Sequence, residues 1–162
     1  MNIKLKRKYL YYLNCKIKCA IGKNGITKDK KEGDLKTPRG NFKLKKIFYR
    51  KDRISFFKSS LKKYYIKKDI GWCDDPNSKY YNQEIKFPFK GSAEKFWRKD
   101  NIYDLIIVLN YNFNPVIKNK GSAIFLHISK KNYKPTKGCI AINKKDMINL
   151  ITNIKNNSKL II

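Results

Sequence analysis

His127 is the only histidine in the chain, and it stands at the end of an apolar run within Gly121-Ser-Ala-Ile-Phe-Leu-His-Ile-Ser that reads as a buried strand. Cys139 follows Gly138 directly and leads into a second apolar run, Ile140 to Ile142. A strand, a loop of about ten residues and another strand form a hairpin-like unit that sets a residue ending the first beside one beginning the second. A thiol near its free pKa of about 8.5 is a poor nucleophile, and an imidazole within reach makes it a thiolate and later returns the proton. Gly138 lets the backbone approach a substrate carbonyl, and amide N–H groups at Gly138 and Cys139 can face a developing oxyanion. The ordinary alternative is a packed thiol beside a satisfied core histidine.

The neighbouring residues decide between these. The block Pro135-Thr-Lys-Gly-Cys-Ile-Ala141, preceded by His127, resembles the signature of the YkuD-type L,D-transpeptidase catalytic domain, in its shorter Pro-Thr-x-Gly-Cys-x-Ala form. The match is carried by His127, Thr136, Gly138 and Cys139. Lys137 and Ala141 stand where many members have a second His and an Arg or Asn. The resemblance extends to the turn Thr37-Pro-Arg-Gly40 and to Trp72-Cys-Asp-Asp-Pro76. It implies a Cys139 nucleophile, His127 as general base and acid, a Gly138 oxyanion N–H and Thr136 as an orienting hydroxyl. Substrate-binding candidates are Trp72, Asp74, Asp75 and Lys137. The implied substrate is a peptidoglycan tetrapeptide stem, with release of D-alanine; the implied fold is a curved β-sandwich. Two other readings stand beside it: a Cys/His carboxypeptidase or amidase on the same fold, and a basic protein that binds nucleic acid or another anionic polymer.

Stepping along the chain, Tyr11 to Ile21 alternates and reads as one long half-buried strand, ended by the Gly22–Gly25 turn. Residues 26–40 are almost devoid of apolar side chains and read as an exposed loop. Tyr49 to Lys68 reads as an insertion or lid with short strands. In Trp72 to Pro76 the ordinary reading is a tight Asp-Pro turn anchored by the indole, and the functional one places Asp74 or Asp75 at the groove. Ser92 to Arg98 is expected to be a short helix capped by Ser92. Leu105–Leu109 has the continuous apolar pattern of a central strand. Asn143 followed by Asp146, with Met147, Leu150, Ile151 and Ile154 at helical spacing, predicts a C-terminal helix in which Asp146 serves the cap. A strand over Leu160–Ile162 ends a single mainly β domain spanning residues 1–162.

Composition bounds the function classes. The formal charge of +27 over 162 residues suggests nucleic acid, an anionic surface or an anionic polymer. The cations are nearly all lysine, however, with arginine only at 7, 39, 50, 53 and 98, and the abundance of Lys, Asn, Ile and Tyr is the imprint of A+T-rich coding. Arginine forks for reading bases are scarce. Weak, salt-sensitive binding to anionic polymers is expected either way. Cys15, Cys19, Cys73 and Cys139 form no Cys-x-x-Cys pair and a single His completes no zinc set, so neither metal nor cofactor is expected. No apolar run reaches membrane-spanning length. The basic opening Lys4–Lys8 is followed only by Tyr9–Leu13, too short for a signal-peptide core, so the sequence by itself suggests the cytoplasm, whereas the resemblance implies the cell envelope. The oligomeric state is left open.

Overall fold

The computed structural model describes residues 1–162. Its strands are β1 (Asn2–Lys6), β2 (Tyr9–Tyr12), β3 (Cys15–Lys18), β4 (Ile26–Thr27), β5 (Thr37–Pro38), β6 (Asn41–Tyr49), β7 (Lys63–Tyr65), β8 (Ile70–Cys73), β9 (Glu84–Lys86), β10 (Ala93–Lys95), β11 (Leu105–Leu109), β12 (Phe125–Ile128), β13 (Ile140–Ile142) and β14 (Lys159–Ile161). One helix, α1 (Lys144–Asn153), and a 3-10 turn at Lys131–Tyr133 complete the chain, which is mainly β as expected.

Nine strands make one curved sheet in the order β13-β12-β11-β6-β14-β1-β2-β3, with β7 added to β6. Its two ends meet: Ala20, just past β3, exchanges backbone hydrogen bonds of 2.8 and 2.9 Å with Ala141 of β13. Alternation divides the side chains of the central strands between two cores. On one face Leu105, Ile107, Leu109, Leu126, Ile128, Ile140 and Ile142 meet β1–β3 and the apolar stripe of α1, Met147, Leu150 and Ile151. On the other, Phe48, Ile106, Val108, Phe125 and Cys139 lie under Ile70 and Trp72 of the small β10-β8-β9 sheet and under Phe96, just past β10. Helix α1 starts as its sequence predicts, with Asn143 Oδ1 accepting from the Asp146 N–H at 2.8 Å.

Three expectations are corrected. The strand read over Tyr11–Ile21 is two strands, because Leu13 adopts φ 47° and turns the chain between β2 and β3, which then pair antiparallel. Ser92–Arg98 contains no helix; Ala93–Lys95 is β10, paired antiparallel with β8 through Ala93↔Cys73 and Glu94↔Trp72. A strand this short owes its form to the edge it pairs with, which helical propensity cannot reveal. The 26–40 segment is no exposed loop: Thr37 is fully buried and its Oγ1 accepts from the Gly22 N–H at 2.8 Å.

Candidate active site

His127 and Cys139 are brought together by β12 and β13, but by a parallel pairing, not a hairpin. The register is Leu126↔Ile140, His127↔Ala141 and Ile128↔Ile142. Cys139 precedes Ala141 by two residues, so it shares the face of His127 one diagonal step away. The connecting loop crosses over through the 3-10 turn at Lys131–Tyr133. Both side chains line one groove of about 530 Å³, the size of a pocket for a small substrate.

His127 is buried, and its Nδ1 lies 2.9 Å from the Ile128 carbonyl oxygen. A carbonyl only accepts, so Nδ1 carries the proton and Nε2 keeps the lone pair a general base needs. The Tyr103 ring meets the imidazole edge to face, with centroids 5.3 Å apart. Burial pushes the His127 pKa down to about 4, and Arg98 acts in the same direction against the carbonyls of Ile128 and Ile102. The Cys139 Sγ donates to the Ala123 carbonyl at 3.1 Å and accepts from the Phe125 N–H at 3.4 Å. Burial pushes its pKa up to about 12, partly offset by that N–H and by Lys30. At rest the pair is therefore a neutral thiol and a neutral imidazole, with no hydrogen bond joining them.

The loop that carries Cys139 is held by Thr136. Its Oγ1 donates to the Cys139 carbonyl at 2.6 Å and accepts the Gly138 N–H at 3.1 Å. The second bond corrects one expectation: the Gly138 N–H is occupied, whereas the Cys139 N–H has no protein acceptor. Gly138 is still required, since its φ is 140° and a Cβ there would lie 2.9 Å from the Lys36 carbonyl oxygen.

Asp74 and Lys137 line the groove with Thr136. One carboxylate oxygen of Asp74, Oδ1, is buried without a partner. Trp72 and Asp75 do not line it. Trp72 is 2 % exposed, stacks on Phe96 and Phe113, and meets Phe125 edge to face, so its contact with substrate is replaced by a place in the core beneath the thiol. Asp75 Oδ1 instead accepts the Asn77 N–H in a local turn.

Several residues escaped sequence reasoning. Glu94 and Glu32 place two more carboxylates in the groove, and Glu94 accepts the Tyr103 hydroxyl at 2.9 Å. Reading 92–98 as a helix hid Glu94, since helical and strand periods assign different faces. Asn82 Oδ1 accepts from Trp72 Nε1 and the Ala123 N–H, each at 3.0 Å, while its Nδ2 donates to the carbonyls of Tyr111 and Asn112. No local pattern marks such a residue, because all four bonds join segments distant in sequence. No group of three or more His, Cys, Asp or Glu converges to hold a metal.

Compared with known protein families, residues 2–162 match the model described as YkuD, L,D-transpeptidase catalytic domain. No curated protein and no solved structure matches the chain.

Proposed function

Because the chain belongs to the YkuD-type L,D-transpeptidase catalytic domain family, we propose that it acts on peptidoglycan tetrapeptide stems by acyl transfer through a Cys139 thioester. The observation that carries this reading is that His127 and Cys139 open from one sheet face into one groove, with Nδ1 tied to a carbonyl. The thiol proton leaves the Ala123 carbonyl and passes to Nε2 of His127 as the sulfur attacks the amide carbonyl between the L-centre of a diamino acid and the terminal D-alanine. The Cys139 N–H faces the resulting oxyanion. The imidazolium then protonates the departing D-alanine amine, leaving the acyl group on sulfur. A second stem's amine completes a cross-link.

Asp74, Glu32 and Glu94 set carboxylates into the groove of a strongly basic protein, and they suit the ammonium groups of donor and acceptor stems. Lys137 on the rim suits a stem carboxylate. Such a substrate would imply the cell envelope. Water in place of the amine would make the protein a carboxypeptidase. Incubation with disaccharide-tetrapeptide and mass analysis of the muropeptides distinguishes the outcomes: dimers lacking one D-alanine support the transpeptidase, and tripeptide without dimers replaces it by the hydrolase.

A further inference from the structure

Of the 39 basic residues only Lys30 and Arg50 are buried. Arg50 is explained locally, being held by both Asp52 oxygens at 2.8 and 2.6 Å and stacked on Trp97. Lys30, 4 % exposed, is different. Its Nζ donates to Asp34 Oδ1 at 2.5 Å and to the Lys31 carbonyl at 2.9 Å, which uses two of its three N–H groups. Its stem runs against the two glycines that open the catalytic strands. A Cβ on Gly121 would lie 2.9 Å from Lys30 Cγ, and one on Gly138 would lie 3.7 Å from Lys30 Cε. The ammonium end of Lys30 is thus set behind the residue that immediately precedes Cys139. Burying an ammonium is costly even when it is paired, and a chain with so many surface lysines has no need of it for solubility.

We infer that Lys30 is a positioning residue whose buried ammonium, tempered by Asp34, stabilises negative charge as it forms on Cys139. The inference rests on Cys139 being the nucleophile. The groove that holds the thiol is lined by His127 from β12, Glu94 from β10, Arg98 and Tyr103 ahead of β11, the carboxylates of Glu32 and Asp74, and Lys130, Lys134 and Lys137 of the crossover loop, whereas Lys30, from the segment between β4 and β5, lies outside that lining and behind Gly138. Lys137, on the nucleophile's own loop, is exposed to solvent. Glu94 opposes a thiolate and Lys30 favours it. The Lys30 hydrogen bond also holds the Asp34 carboxyl below its ordinary value against the effect of burial, together with the N–H groups of Lys31 and Lys36. Lys30 and Asp34 form an ion pair, so loss of Lys30 removes a positive charge from behind Gly138 and loss of Asp34 removes the negative charge that tempers it, two changes of opposite sign.

That opposition gives the test. Pulse alkylation with iodoacetamide from about pH 6 to about pH 10, quantified on the Cys139 peptide by mass spectrometry, reads thiolate formation without any muropeptide. Lys30→Met should slow alkylation by about tenfold for each pKa unit gained, Asp34→Asn should speed it, and Lys30→Arg should stay close to the parent protein. A purely structural role predicts that Lys30→Met and Asp34→Asn change the rate in the same direction, or not at all, and either result overturns the inference. Should Lys30→Met lose its far-UV circular dichroism, Asp34→Asn decides: no acceleration rejects the inference. Failure of Cys139 to react with peptidoglycan stems would remove the proposed activity and leave this alkylation result standing.

Discussion

At rest His127 and Cys139 are a neutral pair, and under the proposed mechanism this sets the pH behaviour of the site. The imidazole must be unprotonated to take the thiol proton, and burial holds its pKa at about 4, against about 6.5 for a free histidine. On a muropeptide substrate kcat/KM should therefore hold its plateau through pH 6 and fall only as pH approaches about 4. An acid limb centred near about 6.5 would contradict the burial argument. The same depression acts on stability, because the unfolded chain takes up the His127 proton first. Its contribution is complete above about pH 6.5 and is lost as pH falls through about 4, amounting to about 3 kcal/mol. Unfolding with urea at neutral and acid pH should show this loss, and His127→Gln should reduce it. His127, Thr136 and Cys139, which the structure brings to one groove, were legible as candidates in the sequence because a Thr-x-Gly-Cys turn and a lone His on an apolar run are local signals. Lys30, Glu32 and Glu94 were not, because what makes them notable is burial and distant partners.

At the scale of elements, the sequence correctly marked β11 as a central strand and α1 as a capped helix, since each depends on its own pattern. It could not distinguish a hairpin from the parallel pairing of β12 with β13, because both orientations ask for the same two apolar runs. Nor did it foresee that β8 and β10 would cover the face bearing Cys139. That cover is tied down through Asn82, whose side chain links Trp72 of β8 to the Ala123 N–H ahead of β12. The Ala123 carbonyl in turn holds the thiol. Replacing Asn82 by Ala strands a buried indole N–H and three backbone groups, and is expected to cost about 3 kcal/mol or more in chemical denaturation. It should also lower kcat more than it raises KM, because the thiol's resting partner shifts while the groove lining stays in place. A variant as stable and active as the parent would show that β8 is not anchored in this way.

Across the whole molecule, charge is distributed unevenly: three of the twelve acidic side chains, Glu32, Asp74 and Glu94, line one groove and come near to balancing the four cations there, Arg98, Lys130, Lys134 and Lys137, while most of the other lysines stand unbalanced on the outside. The exterior and the groove should consequently respond differently to salt. Association with anionic cell-wall polymer should fall steeply as salt is raised, because exposed charges are screened over about 10 Å at 0.1 M. Turnover of soluble muropeptides should change little. Co-sedimentation with purified sacculi, measured beside turnover over the same salt series, checks this; salt-independent sedimentation would remove the exterior charge from the account. No helix is long and apolar enough to cross a membrane. The proposed chemistry, however, turns on one sulfur atom. Rapid acid quenching during turnover of a disaccharide-tetrapeptide, followed by peptide mass mapping, should show the disaccharide-tripeptide acyl group on Cys139 and nothing at that mass in Cys139→Ala. If folded protein turns over the substrate with Cys139 unmodified, or if Cys139→Ala yields the same products, the thioester mechanism is wrong.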